Sequence, residues 1–299
     1  MSSNLVGVLW ALLSTASFAT AAALAKMATE DYHVWEIVFI RQVFVFLSVL
    51  PAIVHAFPNR LKTKRPGWHA FRLLGSTTGL LCSFWAVSQL PLPTAATLTF
   101  TSTFFVSILA WWLLGERFGL PRMIAILVGF GGVIVVVRPG LDLFADTYSL
   151  IAVTGALGLA IAMTCMRSLA QTESTVVLIA YQAIFIGALS IIALPFVWIT
   201  PTLEGFLLMS GVGVTSILAQ YTVVKSLRAG EAGVIASIEY MKLIYATTLG
   251  FVLFATLPDI WTLAGAFIII GAALFTVIRE TRSKAAKSRK SEKPLKTAA

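Results

Sequence analysis

The stretch WEIVFIRQVFVFLSVLPAIVHAF, residues 35–57, is an almost unbroken run of large apolar side chains. As an α-helix it would extend about 34 Å, which exceeds the roughly 30 Å hydrocarbon core of a lipid bilayer. The stretch therefore predicts a membrane-spanning helix. Arg41 lies six residues into it, at a depth where an ionised group is costly unless it faces a cavity or a partner.

The rest of the chain has the composition of an integral membrane protein. Of its 299 residues, 58% are hydrophobic and 12% are charged, which is about half the charged fraction of a soluble globular protein. This composition excludes a water-soluble domain. Ten apolar runs are long enough to cross a bilayer, at residues 4–26, 35–57, 69–89, 93–114, 120–138, 148–168, 175–198, 203–226, 231–254 and 260–279. We predict an all-α polytopic membrane protein with ten transmembrane helices.

Basic residues are distributed unevenly over the loops between these runs. If the N-terminus is cytoplasmic, the inner loops and the C-terminal tail hold 17 of the 22 Lys and Arg residues, and the outer loops hold Lys26 and Arg138. Basic loops remain on the cytoplasmic side, so the pattern predicts cytoplasmic N- and C-termini. The tail at 280–299 is polar and basic, and we expect it to be a disordered cytoplasmic segment.

The two halves of the chain have similar hydropathy, loop lengths and proline positions. A shift of 140 residues aligns AVSQLPLPTAATLTF (86–100) with SLRAGEAGVIASIEY (226–240), and a shift of 144 aligns Pro51 with Pro195. An odd number of spans in each unit inverts the second unit relative to the first. We predict two inverted five-helix repeats, residues 4–138 and 148–279. Secondary transporters use this architecture and bind substrate between the halves.

Three short motifs carry a family resemblance. They are FIRQVF in span 2, LAWWLLGERF at the end of span 4 and GGVIVVVRPG at the end of span 5. Together with the five-plus-five pattern, they make the chain resemble the drug/metabolite transporter superfamily, in its ten-helix EamA-like branch. The resemblance implies transport of small polar or amphipathic solutes without ATP hydrolysis, by alternating access. Many relatives have a proline in the middle of spans 4 and 9, and this chain has none there.

Within that superfamily the chain is most similar to bacterial exporters of amino acids, including aromatic ones, so we predict an exporter in the bacterial inner membrane. The alternative is an importer of a cofactor-like solute such as S-adenosylmethionine or riboflavin. The sequence has no phosphate-binding loop, nucleophile motif or metal-ligand spacing, so we predict no enzyme activity, catalytic residue, cofactor or metal. The expected partners are a small-molecule substrate and the lipid bilayer, without nucleic acid. The expected assembly is a monomer or a homodimer.

Polar residues inside the spans are the candidates for a substrate site. Glu239 and Lys242 lie three residues apart on one face of span 9, near its middle. Either they neutralise each other as an internal ion pair, or they face a cavity. In a cavity, Lys242 would bind a substrate carboxylate, and Glu239 an ammonium group or a coupled proton. The equivalent part of span 4 carries hydroxyl groups instead, so we interpret the pair as the feature that selects the solute.

The other candidates each have a structural alternative. Arg41 either extends to the outer headgroups or binds an anion inside the bundle, and the resemblance favours the second. Trp85 either stacks a solute or lies at the membrane interface. Glu116 either forms a local ion pair or a gating contact. Four further residues either contact the substrate or join two helices: Thr101, Tyr181, Gln182 and Tyr221.

Glycines and apolar spans predict how the helices pack. Gly75 and Gly79, like the glycines at 129–132, lie inside spans, where small residues let two helices approach closely. Spans 5 and 10 carry few polar side chains, so we expect them on the outside of the bundle, facing lipid or a second subunit.

Overall fold

A computed structural model describes residues 3–54, 63, 65–115, 120–137, 147–169, 172–229 and 238–292. All regular structure in these residues is helical, which confirms the predicted all-α class over this part of the chain. The helices are α1 Ser3–Ala28, α2 Val34–Val54, α3 Pro66–Gln89, α4 Leu92–Thr99, α5 Ser102–Leu114, α6 Leu120–Val137, α7 Thr147–Leu169, α8 Thr175–Val197, α9 Leu203–Ala229, α10 Met241–Phe254 and α11 Ile260–Glu292.

The apolar parts of these helices match the ten predicted runs. Seven are long and apolar enough to cross a membrane: Leu5–Ala28, Val34–Val54, Pro66–Gln89, Leu92–Leu114, Thr147–Leu169, Val176–Val197 and Leu203–Ser226. Three shorter apolar helices, Met123–Val137, Met241–Phe254 and Ile260–Phe275, fall in predicted spans 5, 9 and 10. The protein is therefore a multi-pass membrane protein.

Span 4 is interrupted in its middle although it has no proline there. Helix α4 ends at Thr99 and α5 begins at Ser102, and the N–H groups of Phe100 and Thr101 donate to carbonyls three residues back, at 3.1 Å. Two threonines before the break bond back to their own helix. The hydroxyls of Thr97 and Thr99 donate to the carbonyls of Pro93 and Ala95, at 2.8 and 2.9 Å. Such bonds favour bending, but Thr15 and Thr77 make the same bond in unbroken helices.

Span 9 has a break at the corresponding place. Glu239 and Tyr240 form a turn before α10 begins at Met241, and Lys242 N–H donates to the Glu239 carbonyl three residues back, at 3.1 Å. This turn lies 139 residues after the break in span 4, one residue less than the 140-residue spacing of the predicted repeat. Residues 230–237, which precede it, lie outside the described part of the chain.

The strongest helix packing joins the first half of the chain to the second. Helix α3 packs along α7 and α1 packs along α9, and the next most extensive pairs are α6 with α11 and α2 with α8. Smaller contacts join α5 to α7, α1 to α10 and α4 to α10. The core is thus built from helices distant in sequence, and the breaks of spans 4 and 9 lie within it.

Glycines allow the closest of these approaches. A Cβ on Gly158 of α7 would lie 2.5 Å from the backbone N of Gly79 in α3, and a Cβ on Gly75 would lie 2.8 Å from the Gly158 carbonyl oxygen. Helices α6 and α11 also meet closely, because a Cβ on Gly265 would lie 2.7 Å from the carbonyl oxygen of Gly132. The predicted packing role is confirmed for Gly75 and Gly79 of span 3 and for Gly129 and Gly132 of span 5. A Cβ on Gly131 would meet nothing within 4 Å, so the prediction is wrong for that glycine.

Spans 5 and 10 lie next to each other, with large apolar side chains on their outer surface. Leu127 and Ile134 of α6 and Phe267 of α11 are all exposed. Exposed apolar side chains of this size suit a lipid-facing surface. Helix α11 also continues to Glu292, so residues 280–292 are helical where the sequence predicted disorder. Ala, Lys, Arg and Glu favour helix and can extend one that already exists.

Candidate functional site

The two broken helices meet at their breaks. The rings of Phe100 and Tyr240 pack with centroids 5.3 Å apart and planes inclined by 34°. These two residues align with each other when the halves of the chain are shifted by 140 residues. We call this region the crossing and define it as Phe100, Thr101, Glu239, Tyr240 and Lys242. Three of the predicted site residues, Thr101, Glu239 and Lys242, are among them.

Thr101 places an unused hydroxyl at the crossing. Its side chain is fully buried, and its hydroxyl has no hydrogen-bond partner in the described part of the chain. A buried polar group without a partner costs about 1–3 kcal/mol. Such a group is available to a ligand that offers a donor or an acceptor.

The charges of Glu239 and Lys242 are close in sequence but do not form a tight ion pair. The Glu239 carboxylate and the Lys242 ammonium make no contact of 4.0 Å or less. The Lys242 ammonium instead lies 5.2 Å from the centre of the Phe18 ring of α1, a distance typical of a cation–π contact. Both charged groups at the crossing can therefore accept a partner of opposite sign.

Arg41 points into the bundle and not towards the headgroups. It is 6% exposed, its Nε donates to Ser216 Oγ at 3.1 Å, and its Nη1 donates to Gln42 Oε1 at 2.5 Å. The amide of Gln42 in turn donates to the backbone carbonyl of Gln182, at 3.2 Å. Arg41 therefore lies inside the bundle, where helices α2, α8 and α9 meet, and anion binding by Arg41 stays a prediction.

A second buried arginine, Arg72, lies in the same network and is absent from the sequence predictions. It is 1% exposed. Its guanidinium donates to the Leu178 carbonyl at 2.6 Å and to Gln182 Oε1 at 3.4 Å, and its Nε lacks a partner among the described residues. No described carboxylate lies within 4.0 Å of Arg41 or Arg72. The sequence signal was Arg72 itself, a charge at the start of an apolar run.

Tyr181 lies beside this network, towards the α2–α3 and α7–α8 connections. Its ring centroid is 4.6 Å from that of His69, and His69 Nε2 is 2.5 Å from a carboxylate oxygen of Glu173. Glu173 also accepts a hydrogen bond from the hydroxyl of Thr63. These contacts join the two connections at one end of the bundle.

Two predicted residues lie away from the crossing. Tyr221 is 54% exposed on α9, edge-on to Trp10 at 6.5 Å. Trp85 is 40% exposed on α3, edge-on to His33 at 6.0 Å. Glu116, the predicted gating residue, lies outside the described residues. The structure thus groups Thr101, Glu239 and Lys242 at the crossing and Arg41 with Gln182 in a separate network.

Comparison with known proteins finds a family model and named relatives. Residues 5–138 match the model of the EamA-like transporter family. An S-adenosylmethionine uptake transporter of Rickettsia bellii is 29% identical, over 94% of this chain and 97% of its own length. The match confirms the predicted resemblance to EamA-like transporters over the first half of the chain.

Other relatives of this chain are named for different solutes. A pseudopaline exporter of Pseudomonas aeruginosa, CntI, is 27% identical and aligns over 90% of this chain and 94% of its own length. A riboflavin transporter of Vibrio cholerae is 26% identical and aligns over 93% of this chain and 95% of its own length. One crystal structure superimposes with a TM-score of 0.62 at 19% identity, covering 94% of this chain and 98% of that one. At this identity the superposition shows a shared fold.

Proposed function

We propose that this chain is an EamA-like secondary carrier of S-adenosylmethionine, which it takes up by alternating access between two inverted five-helix repeats. The observation that carries the proposal is the crossing, where two broken helices bring an ammonium, a carboxylate and an unpaired hydroxyl beside aromatic rings. Transporters place substrate sites at discontinuous helices near the middle of the membrane, where irregular backbone lines a cavity.

The packing of the helices supports the two repeats. If spans 1–5 exchange with spans 6–10, the contact of α3 with α7 becomes that of α9 with α1, and both are extensive. The contact of α5 with α7 likewise becomes that of α10 with α1, and the pairs α6–α11 and α2–α8 map onto themselves. Pro51 in α2 and Pro195 in α8 occupy matching places. A two-fold axis between the halves would produce this pattern.

The chemistry of the crossing fits an α-amino acid that carries a flat ring. Lys242 would bind the α-carboxylate and Glu239 would bind the α-ammonium group, because the two side chains make no contact of 4.0 Å or less with each other. The stacked Phe100 and Tyr240 offer faces on which an adenine could lie. The Thr101 hydroxyl would complete the polar contacts. S-Adenosylmethionine has each of these groups. The Rickettsia relative, which aligns over nearly its whole length, is named an S-adenosylmethionine uptake transporter.

Export of amino acids, including aromatic ones, is the second candidate. The Glu239 and Lys242 charges complement the ammonium and carboxylate groups that every α-amino acid has. A coupled carrier can run in either direction, so the same site would serve export. In this proposal the protein lies in a bacterial inner membrane with both termini in the cytoplasm, which the uneven loop charges support.

Counterflow into proteoliposomes tests the substrate. Vesicles preloaded with S-adenosylmethionine are expected to accumulate labelled S-adenosylmethionine faster than vesicles preloaded with phenylalanine, tryptophan or riboflavin. Empty vesicles are the control for binding and leak. Accumulation of labelled phenylalanine or tryptophan by vesicles preloaded with the same amino acid, without accumulation of labelled S-adenosylmethionine, would favour the second candidate. Exchange with none of these solutes would contradict both.

A further inference from the structure

A cleft lies at the end of the bundle where α1 joins α2 and α8 joins α9. It has a volume of about 490 Å³ and is lined by residues 29–33 and 196–199. This volume lies within the roughly 300–1,000 Å³ range of small-molecule sites. Hydrogen bonds between Tyr32 and Thr202, 3.1 to 3.2 Å long, join the two connections beside the cleft. The loop charges predict that this end faces outward.

The charge around the cleft is negative. Glu30 and Asp31 line it. Lys26, one turn before Glu30, is not among the lining residues, and its ammonium donates to the carbonyls of Val87 and Leu90 at 2.9 Å. Its positive charge offsets part of the charge of Glu30. Two carboxylates thus face a cleft whose described lining includes one histidine, His33, and no Lys or Arg.

A third carboxylate lies directly behind the wall of the cleft. Glu36 is fully buried, and one of its oxygens accepts the N–H of Ile199, a lining residue, at 3.4 Å. Its other oxygen, Oε1, has no hydrogen-bond partner in the described part of the chain. A buried carboxylate without a full set of donors is expensive, and a cation nearby would lower that cost.

Aromatic side chains complete the cleft. Tyr32, Phe196 and Trp198 line it together with the carboxylates, and Phe196 and Trp198 are exposed. Carboxylates combined with aromatic faces are the usual means of binding sulfonium and quaternary ammonium groups. The carboxylates and aromatic rings of the cleft are therefore chemically complementary to an organic cation.

We propose that this cleft is a docking site for organic cations, which it concentrates at the entrance before they reach the crossing. Among transported solutes the fitting class is a sulfonium such as S-adenosylmethionine, and this identity rests on the proposed function. Docking of an organic cation at the cleft does not rest on the proposed function, because it requires only the negative charge and the aromatic lining of the cleft. Fields of this kind raise local solute concentration and entry rates by about 10-fold or more.

The test compares two substrates that differ by one methyl group and one charge. In Glu30→Gln/Asp31→Asn, the KM for S-adenosylmethionine is expected to rise about 10-fold at low salt, and kcat is expected to stay the same. The KM for S-adenosylhomocysteine, which lacks the sulfonium charge, should change less than 2-fold. High salt should reduce the difference, since about 1 M salt screens charges beyond roughly 3 Å. An equal change for both substrates, or no change, would overturn the proposal.

The control variant is Glu204→Gln, which removes an acid at the same end of the bundle from a neighbouring apolar groove. It is expected to leave both KM values unchanged, and a KM effect equal to that of the cleft variant would contradict the proposal. A second readout, binding of benzyltrimethylammonium to the purified protein, needs no transport. Weaker binding in the cleft variant would support the cleft even if wild-type protein moved no S-adenosylmethionine. Equal binding in both proteins would overturn it.

Discussion

Lys242→Met is expected to lower S-adenosylmethionine uptake at least 10-fold. The substitution keeps an unbranched apolar side chain of nearly the same length and removes the ammonium that we propose for the substrate carboxylate. A charged hydrogen bond contributes about 1.5–3 kcal/mol, and each 1.4 kcal/mol is a factor of about 10 in affinity. The measurement is initial uptake into proteoliposomes, normalised to the amount of folded protein by gel filtration.

Lys225→Met is the matched control. Lys225 also lies over an aromatic ring, 5.4 Å from the centre of Tyr221, but it is exposed on α9, away from the crossing. Uptake by this variant should remain within 2-fold of wild type. Equal losses in Lys225→Met and Lys242→Met, or no loss in either, would contradict a substrate role for Lys242.

Gly158→Ala is expected to lower the midpoint of thermal unfolding by roughly 3–10 °C. The added methyl carbon would lie 2.5 Å from the Gly79 backbone nitrogen, so α7 and α3 must separate along their most extensive contact. Overpacking of this kind costs about 1–3 kcal/mol, and each 1 kcal/mol corresponds to about 2–4 °C in a protein of this size class. The midpoint can be followed by gel filtration of heated, detergent-solubilised protein.

Gly131→Ala adds the same methyl group at a helical position where nothing lies within 4 Å. Alanine favours helix over glycine by about 0.5–1 kcal/mol, so this variant should be equal to wild type or slightly more stable. An unchanged midpoint in Gly158→Ala, or an equal loss in Gly131→Ala and Gly158→Ala, would contradict the view that the close approach of α3 and α7 limits stability.

Seven of the ten predicted spans are helices long and apolar enough to cross a membrane, and hydropathy predicts them because bilayer thickness sets the length of such a run. Glycine packing could be predicted because a close helix contact needs small residues, such as Gly75 and Gly79, whichever helix is the partner. Hydropathy could not predict the break at Phe100, because residues 92–114 are apolar on both sides of it. The expected marker, a proline, is absent.

Pairings between distant helices limited the prediction of the site. Arg41, Glu239 and Lys242 were recognised as charges inside spans, but the sequence could not show that Arg41 joins Gln42 and Ser216. Arg72 was not among the candidates, because it lies near the start of an apolar run and hydropathy does not fix where a helix enters the bilayer. Trp85 was a candidate because its ring could stack a solute, and its contact with His33 depends on how α3 packs.

The most direct test of the proposed site is protection of residue 101 by substrate. Thr101→Cys, in a chain whose Cys82 and Cys165 are replaced by Ser and Ala, places a single thiol at the crossing. S-Adenosylmethionine at saturating concentration should slow its modification by N-ethylmaleimide at least 5-fold. Thr248→Cys, on the exposed side of α10, should be modified at a rate that substrate does not change. Equal rates at residue 101 with and without substrate, in protein that still transports, would contradict a substrate site at the crossing.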